Sequence, residues 1–139
     1  MKPAGGYVMK ENFIKCGMIG WCLEIAWTGF CSFLHHDPKL TGFSSLIMFP
    51  IYGMAALVAP AYRYLKKYRF YIRGLIYMAG IFAAEYSFGR ILQRYHCCPW
   101  DYSSAPLQIS GVIRLDYAPL WFLTGLLYER IIVGRNPTI

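Results

Sequence analysis

Four apolar stretches recur along the chain, each close to the roughly 20 residues that a helix needs to cross a bilayer. They run over about residues 12–36, 44–65, 68–95 and 115–133. A short polar leader with Lys2 and Lys10 precedes the first, and Asp37-Pro38 closes it, because the residue before a proline is held out of helix geometry. The loop 39–43 carries Gly42. The second stretch contains Pro50, Gly53 and Pro60, which predicts a kinked helix of the kind a bundle tolerates when neighbours satisfy the freed carbonyls. The third has its apolar centre at residues 75–84, is interrupted by Glu85, and ends with Arg90 and Arg94. The fourth holds Trp121 and, near its end, Glu129, and a short tail with Pro137 follows. Between the third and fourth stretches lies a polar interruption, His96-Cys97-Cys98-Pro99-Trp100-Asp101-Tyr102-Ser103, running on to Gly111. The pattern predicts an all-α, integral membrane four-helix bundle, one multi-pass domain. Residues 96–111 form an extracytoplasmic loop or re-entrant cap between its third and fourth helices.

Composition strengthens this reading. Of 139 residues, 57% are hydrophobic and 15% charged, where a soluble domain carries about a quarter charged residues. The formal charge is +7. Basic residues concentrate at 62–73, where Arg63, Lys66, Lys67, Arg69 and Arg73 interleave with Tyr62, Tyr64, Tyr68, Phe70 and Tyr71, a membrane–water interface signature. They flank apolar runs and do not line one face of a soluble fold, so nucleic acid is not an expected partner. Four spans put both termini on one side. Placing the 66–69 loop inside assigns ten basic residues to that side (Lys2, Lys10, Lys15, Arg63, Lys66, Lys67, Arg69, Arg73, Arg130, Arg135). Four fall outside (Lys39, Arg90, Arg94, Arg114). The expected orientation is therefore both termini cytoplasmic. The first apolar run is too long and too interrupted for the core of a cleavable leader, and none is expected.

That topology gathers the candidate chemistry. Glu24 lies twelve residues before His36 and Glu85 eleven before His96, so both carboxylates are expected about 16–18 Å below the outer surface. A carboxylate there costs a few kcal/mol and must face a partner, a wet cavity, or stay protonated. A proton or cation pathway and a polar clamp between helices are both open. Arg90, five residues from Glu85, is better placed to reach another helix than its neighbour. His35, His36, Asp37, His96, Cys97 and Cys98 share the outer end. Adjacent His-His and Cys-Cys pairs point apart on a helix, so capping of helix ends is favoured over a metal site. None of the five cysteines (Cys16, Cys22, Cys31, Cys97, Cys98) makes a CxxC pair, and a disulfide to Cys31 stays open if the outer side is oxidising. Trp100-Asp101-Tyr102-Ser103 reads as an ordered turn in which Asp101 bonds its own downstream backbone. Gly17, Gly20, Gly74 and Gly80 are candidates for close helix packing. No P-loop, HExxH, dinucleotide fingerprint or nucleophile elbow occurs, so an ATPase would be a separate chain, and no cofactor is expected.

Several of these motifs occur together in one family. Gly20-Trp21-Cys22-Leu23-Glu24, Pro50-Ile51-Tyr52-Gly53, Glu85 with Gly89, Cys98-Pro99-Trp100-Asp101-Tyr102-Ser103, Gly111 and Trp121-Phe122 follow in order. In this the chain, over about residues 17–133, resembles the transmembrane protein 229 family and its bacterial relatives, the CmpB-like ABC-transporter type IV membrane proteins. The resemblance implies a small multi-pass membrane protein with Glu24, Glu85, Trp100, Asp101, Tyr102, Gly111 and Trp121 as defining positions. Relatives often carry an acidic or amide residue between the Ser and the Gly, where this chain has Leu107-Gln108-Ile109-Ser110.

The leading functional expectation is a permease-like transport component with a polar intramembrane site of Glu24, Glu85 and Arg90 beneath Trp100, Asp101 and Tyr102. The alternative is an accessory or scaffolding subunit of a larger membrane complex, or a lipid-binding membrane protein. An enzyme acting on lipid or quinone through Asp101 and His96 is a weaker third, since nothing in the spacing requires it. The expected partners are the bilayer itself and either a second copy or a larger membrane complex.

Overall fold

The computed structural model describes residues 5–134, with side chains from residue 8. Its described residues are mostly helical and fall into two compact units that divide between residues 56 and 57. Two helices, over Val8–Leu34 and Phe70–Arg94, are long and apolar enough to cross a membrane. Only 11% of the most apolar window of each is buried within the chain. A soluble core helix would be mostly buried. Here Ile14, Met18, Phe30, Phe33, Leu75 and Ile91 are each about half exposed or more, as suits a helix whose solvent is lipid.

In the first unit, α1 spans Gly5–Leu34. It begins inside the stretch expected to be a polar leader, because no helix breaker separates Gly6 from the apolar run. Its end is a Schellman motif. His36 sits at φ +60°, its N–H bonds Phe33 O at 3.0 Å, and the Asp37 N–H bonds Ser32 O at 2.9 Å. The Asp37 carboxylate then accepts from the N–H groups of Lys39 and Thr41 at 3.0 and 3.2 Å. Those bonds hold its carboxyl below the usual carboxylate range and turn the chain back.

The stretch expected to be one helix over 44–65 is broken. Residues 40–45 are non-helical. α2 covers Met48–Gly53, a 3-10 turn covers Met54–Leu57, and α3 covers Val58–Leu65. Pro60 is the physical reason: it offers no N–H to the Ala56 carbonyl, and its ring crowds that carbonyl, so the preceding turn tightens. α2 packs on α1 through flush glycines. A Cβ on Gly20 would lie 2.2 Å from Tyr52 Cγ, and one on Gly17 2.7 Å from the Phe49 ring. Phe49 also stacks on Trp21, ring centroids 4.8 Å apart.

In the second unit, α4 spans Phe70–Arg94 and ends in the same motif. His96 sits at φ +56°, its N–H bonds Gln93 O, and the Cys97 N–H bonds Leu92 O, both at 3.0 Å. A short antiparallel ladder follows that the sequence pattern did not predict. Its strands are β1 (Gln108–Ile109) and β2 (Ile113–Arg114), pairing Gln108 with Arg114 and Ile109 with Ile113. A 3-10 turn, Leu115–Tyr117, leads into α5, Ala118–Val133. The fourth helix thus starts three residues later than expected. Pro119 sits in its first turn, where a missing N–H costs nothing. α5 packs on α4 through Gly74 against Phe122 and Gly125 against Tyr77, over a core that includes Tyr77, Tyr128 and Ile132.

Gly80 does not belong to this packing set, since a Cβ there would meet nothing within 4 Å. Gly20→Ala should therefore destabilise by about 1–3 kcal/mol through overpacking against Tyr52. Gly80→Ala should be neutral or gain up to about 1 kcal/mol in helix propensity. Thermal unfolding of the two variants in detergent checks the contrast, and equal melting temperatures would overturn it.

Candidate functional site

Glu24 belongs to a polar stripe along one face of α1, at positions 21, 24, 28 and 32. The stripe receives the non-helical return segment. The Trp21 indole donates to Ser45 O at 2.9 Å. The Ser44 hydroxyl donates to Glu24 Oε2 at 2.5 Å. Thr28 accepts from the Phe43 N–H at 2.8 Å, and Ser32 donates to Thr41 O at 2.6 Å. Backbone that leaves helix geometry on an apolar helix has no water to satisfy it, and these side chains take that role. Thr28 and Ser32 were missed by the sequence reading. Their signal was available: the 3-4-4 spacing of 21, 24, 28 and 32 puts all four on one helical face.

Glu85 is held differently. It lies midway along α4, half-buried. Among the described residues its hydrogen bonding is limited to the Trp121 indole of α5, which donates to Oε2 at 3.1 Å. Among the described residues no cation pairs with it. Arg90 is exposed and donates to Gln93 Oε1 at 3.3 Å on its own helix, so the structure does not bring the expected Arg90 to this carboxylate.

Trp121 is the first of a series of rings. Tyr117 meets it edge-to-face at 5.9 Å and 88°, and Tyr102 meets Tyr117 at 5.8 Å and 77°. The Arg114 guanidinium lies 4.5 Å from the Tyr117 centroid and 6.0 Å from that of Tyr102. It also forms a two-pronged pair with Asp116, at 3.0 and 2.7 Å. The pair raises the Arg114 pKa and lowers that of Asp116.

The segment between α4 and α5 is an ordered cap docked on α4. Val112 is fully buried and sits on Gly89, where an added Cβ would lie 2.7 Å from Val112 Cβ and 3.1 Å from Trp100 Cζ2. The Trp100 indole donates to Val112 O at 3.0 Å, and the Gln93 amide to Ser110 O at 3.1 Å. Asp101 makes the expected local turn, accepting from the Ser103 N–H at 2.9 Å; this bond and the Ser103 side chain lower its pKa. It is exposed and shapes the cap. Ser110 and Gly111 lie at φ +54° and +71°. Here the family's Gly111 has its physical reason, a left-handed turn whose N–H is bonded by Gln108 Oε1 at 2.7 Å. Of the expected site residues, Glu85 and Tyr102 thus share the aromatic series, while Trp100 and Asp101 build the cap and Glu24 fastens the first unit.

His36 and His96 serve as left-handed helix caps. None of the five cysteines forms a disulfide; Cys98 Sγ bonds Trp100 O, and burial, ahead of other effects, raises its pKa. No group of three or more His, Cys, Asp or Glu that could hold a metal gathers among the described residues.

One further cluster is not signalled by the sequence pattern. Glu129, buried on α5, accepts two bonds from Arg73 at 2.8 and 2.9 Å and a third from the Tyr77 hydroxyl at 2.5 Å. Arg73 had read as one of several interface basics. Its i, i+4 relation to Tyr77 was the available clue.

A family model described as "Putative ABC-transporter type IV" matches residues 11–136, which is the CmpB-like side of the resemblance. No solved structure matches the chain.

The Arg73–Glu129–Tyr77 cluster generates a test. Glu129→Leu alone strands a mostly buried guanidinium and should cost about 3–5 kcal/mol, whereas the paired change Arg73→Met with Glu129→Leu should recover most of that loss. Thermal melts of the single and double variants in detergent decide it. An unrecovered double variant would contradict a purely structural role.

Proposed function

We propose that this chain, which belongs to the family described as "Putative ABC-transporter type IV", is a transport component of a membrane. It crosses four times, with both termini cytoplasmic and residues 96–111 closing the outer end. Glu85 is the polar group that a permeating proton, ion or solute meets. One observation carries this: a half-buried carboxylate midway along an apolar helix, held by a single indole donor and paired with no cation among the described residues. Intramembrane carboxylates without a counter-charge are costly and mark pathways more often than packing. Trp121 fixes one oxygen in place and leaves the group able to take up and release a proton or cation. Glu24 belongs to the fold instead, because its stripe satisfies the backbone of residues 41–45.

A second reading has a specific observation behind it. Much of the intramembrane polarity is committed to internal fastening: the stripe at 21, 24, 28 and 32, and the Arg73–Glu129–Tyr77 cluster. That favours an accessory subunit assembled with further copies or with a larger membrane complex, in which Glu85 is one more clamp.

Purified protein in liposomes separates the two. Under the transport reading, wild type passes protons or a small polar solute, and Glu85→Gln reduces that flux at least about tenfold while melting within a few degrees of wild type. Glu24→Ala reduces yield and melting temperature more than flux per folded molecule. Equal flux in wild type and Glu85→Gln would leave only the accessory role. Orientation is tested on intact cells. A membrane-impermeant maleimide should label the exposed Cys97 in an otherwise cysteine-free variant. Labelling that needs permeabilised cells would invert the assignment.

A further inference from the structure

We propose that Tyr102 and Tyr117 form a seat for an organic cation, a quaternary ammonium or a guanidinium, with the Arg114 side chain as its tethered resident and Glu85 as the next station inward. The proposal rests on the transport reading for the role of Glu85 and names the substrate class of that site.

The occupant already present makes the chemistry visible. A guanidinium 4.5 Å from the Tyr117 centroid and 6.0 Å from that of Tyr102 occupies the negative faces of rings set at 77° to one another. Two such faces at a corner suit a diffuse, weakly hydrated cation better than a small metal ion, since attraction to the ring quadrupole favours a charge that is easily desolvated. The path inward stays attractive to positive charge. Tyr117 abuts Trp121 at 5.9 Å, and Trp121 holds Glu85 at 3.1 Å. Inward of Arg114, the side chains in this series present aromatic surface and then a carboxylate.

The resident is displaceable. Its charge partner, Asp116, lies two residues along the chain, and the side chains of the pair are 29% and 36% exposed. Ion pairs this open to water are weak and screened. Arg114 can remain with Asp116 while its place over the rings is taken by a free cation. It then acts as a competitor built into the chain, setting the concentration at which a ligand enters. A guanidinium that merely stapled the cap to α5 would predict the opposite result on its removal, a looser cap and no gain in binding.

The test uses the full chain in detergent, titrated with tetramethylammonium chloride at constant ionic strength and followed by calorimetry and tryptophan fluorescence. Saturable binding is expected. Arg114→Ala should bind about fivefold tighter or better, and Arg114→Gln, which keeps hydrogen bonding to Asp116 without the charge, should do the same if the alanine variant loosens the cap. Tyr117→Phe keeps the ring but drops the long 3.5 Å bond from Arg114 to the Tyr117 hydroxyl and should bind as wild type or somewhat tighter, while Tyr117→Leu should lose about tenfold or more. Choline should bind, and its neutral isostere 3,3-dimethyl-1-butanol should not. Absence of saturable binding in wild type and both Arg114 variants overturns the seat, as does binding that ignores Tyr117→Leu or is no tighter in either Arg114 variant. Glu85-dependent proton flux without cation binding would sink the seat and keep the transport reading. Cation binding without flux would keep the seat and sink the transport reading.

Discussion

A peptide group or a carboxylate placed in hydrocarbon has no water to turn to, and in each unit polar groups beside the long apolar helix find partners within the chain. α1 is apolar on most of its surface yet carries Trp21, Glu24, Thr28 and Ser32 in one stripe, because the chain folds back along that stripe in a non-helical conformation. Each of the four residues meets a group of the returning segment. The second unit solves the same problem with other means. Val112 fills the space over Gly89, Trp100 and Gln93 bind cap carbonyls, and a two-stranded ladder pairs residues 108–109 with 113–114.

Some features recur between the two long helices. Gly20 and Gly80, Gly29 and Gly89, and His36 and His96 each lie sixty positions apart. In both units a histidine makes the left-handed cap of the long helix. In both, the glycine seven residues earlier admits the returning chain: a Cβ on Gly29 would lie 3.3 Å from Leu40 O, and one on Gly89 2.7 Å from Val112. Each long helix then carries a glutamate four or five residues before that glycine. The first helix is followed by a short connection and its glutamate accepts from a serine hydroxyl, while the second is followed by a long one and its glutamate accepts from the Trp121 indole of α5, which adjoins Tyr117 and, through it, Tyr102.

Much of this was legible in the sequence, and the rest was hidden for physical reasons. The two long helices, their ends near His36 and His96, and the Asp101 turn follow from hydropathy, Pro38 and the local hydrogen-bonding habit of Asp, all of which act within a few residues. The broken stretch over 48–65 was half visible: Pro50, Gly53 and Pro60 announced a disturbance, but a kink and a tightened 3-10 turn carry the same residues. The ladder at 108–114 rests on two strands of two residues each, too short to leave a period-2 pattern. Arg90 is five residues from Glu85, a spacing that points it away from that carboxylate, and spacing does not say which group a long exposed side chain meets instead; here it is Gln93. Glu129 was passed over because its partner, Arg73, sits among other basic residues and reads as one of them. The difference between Glu24 and Glu85 could not be read at all, since it depends on which donor the opposing chain supplies.

That difference is the step on which the functional reading turns. A hydroxyl can donate to a carboxylate or accept from a carboxylic acid, so a Ser44–Glu24 pair stays satisfied in either protonation state and suits a permanent fastening. An indole can only donate. Trp121 therefore serves Glu85 best when the carboxylate is charged, yet brings no charge of its own to neutralise it. Among the described residues no cation does so either, so a charged Glu85 would hold one hydrogen bond and no counter-charge, whereas Glu24 is served by Ser44 in both states.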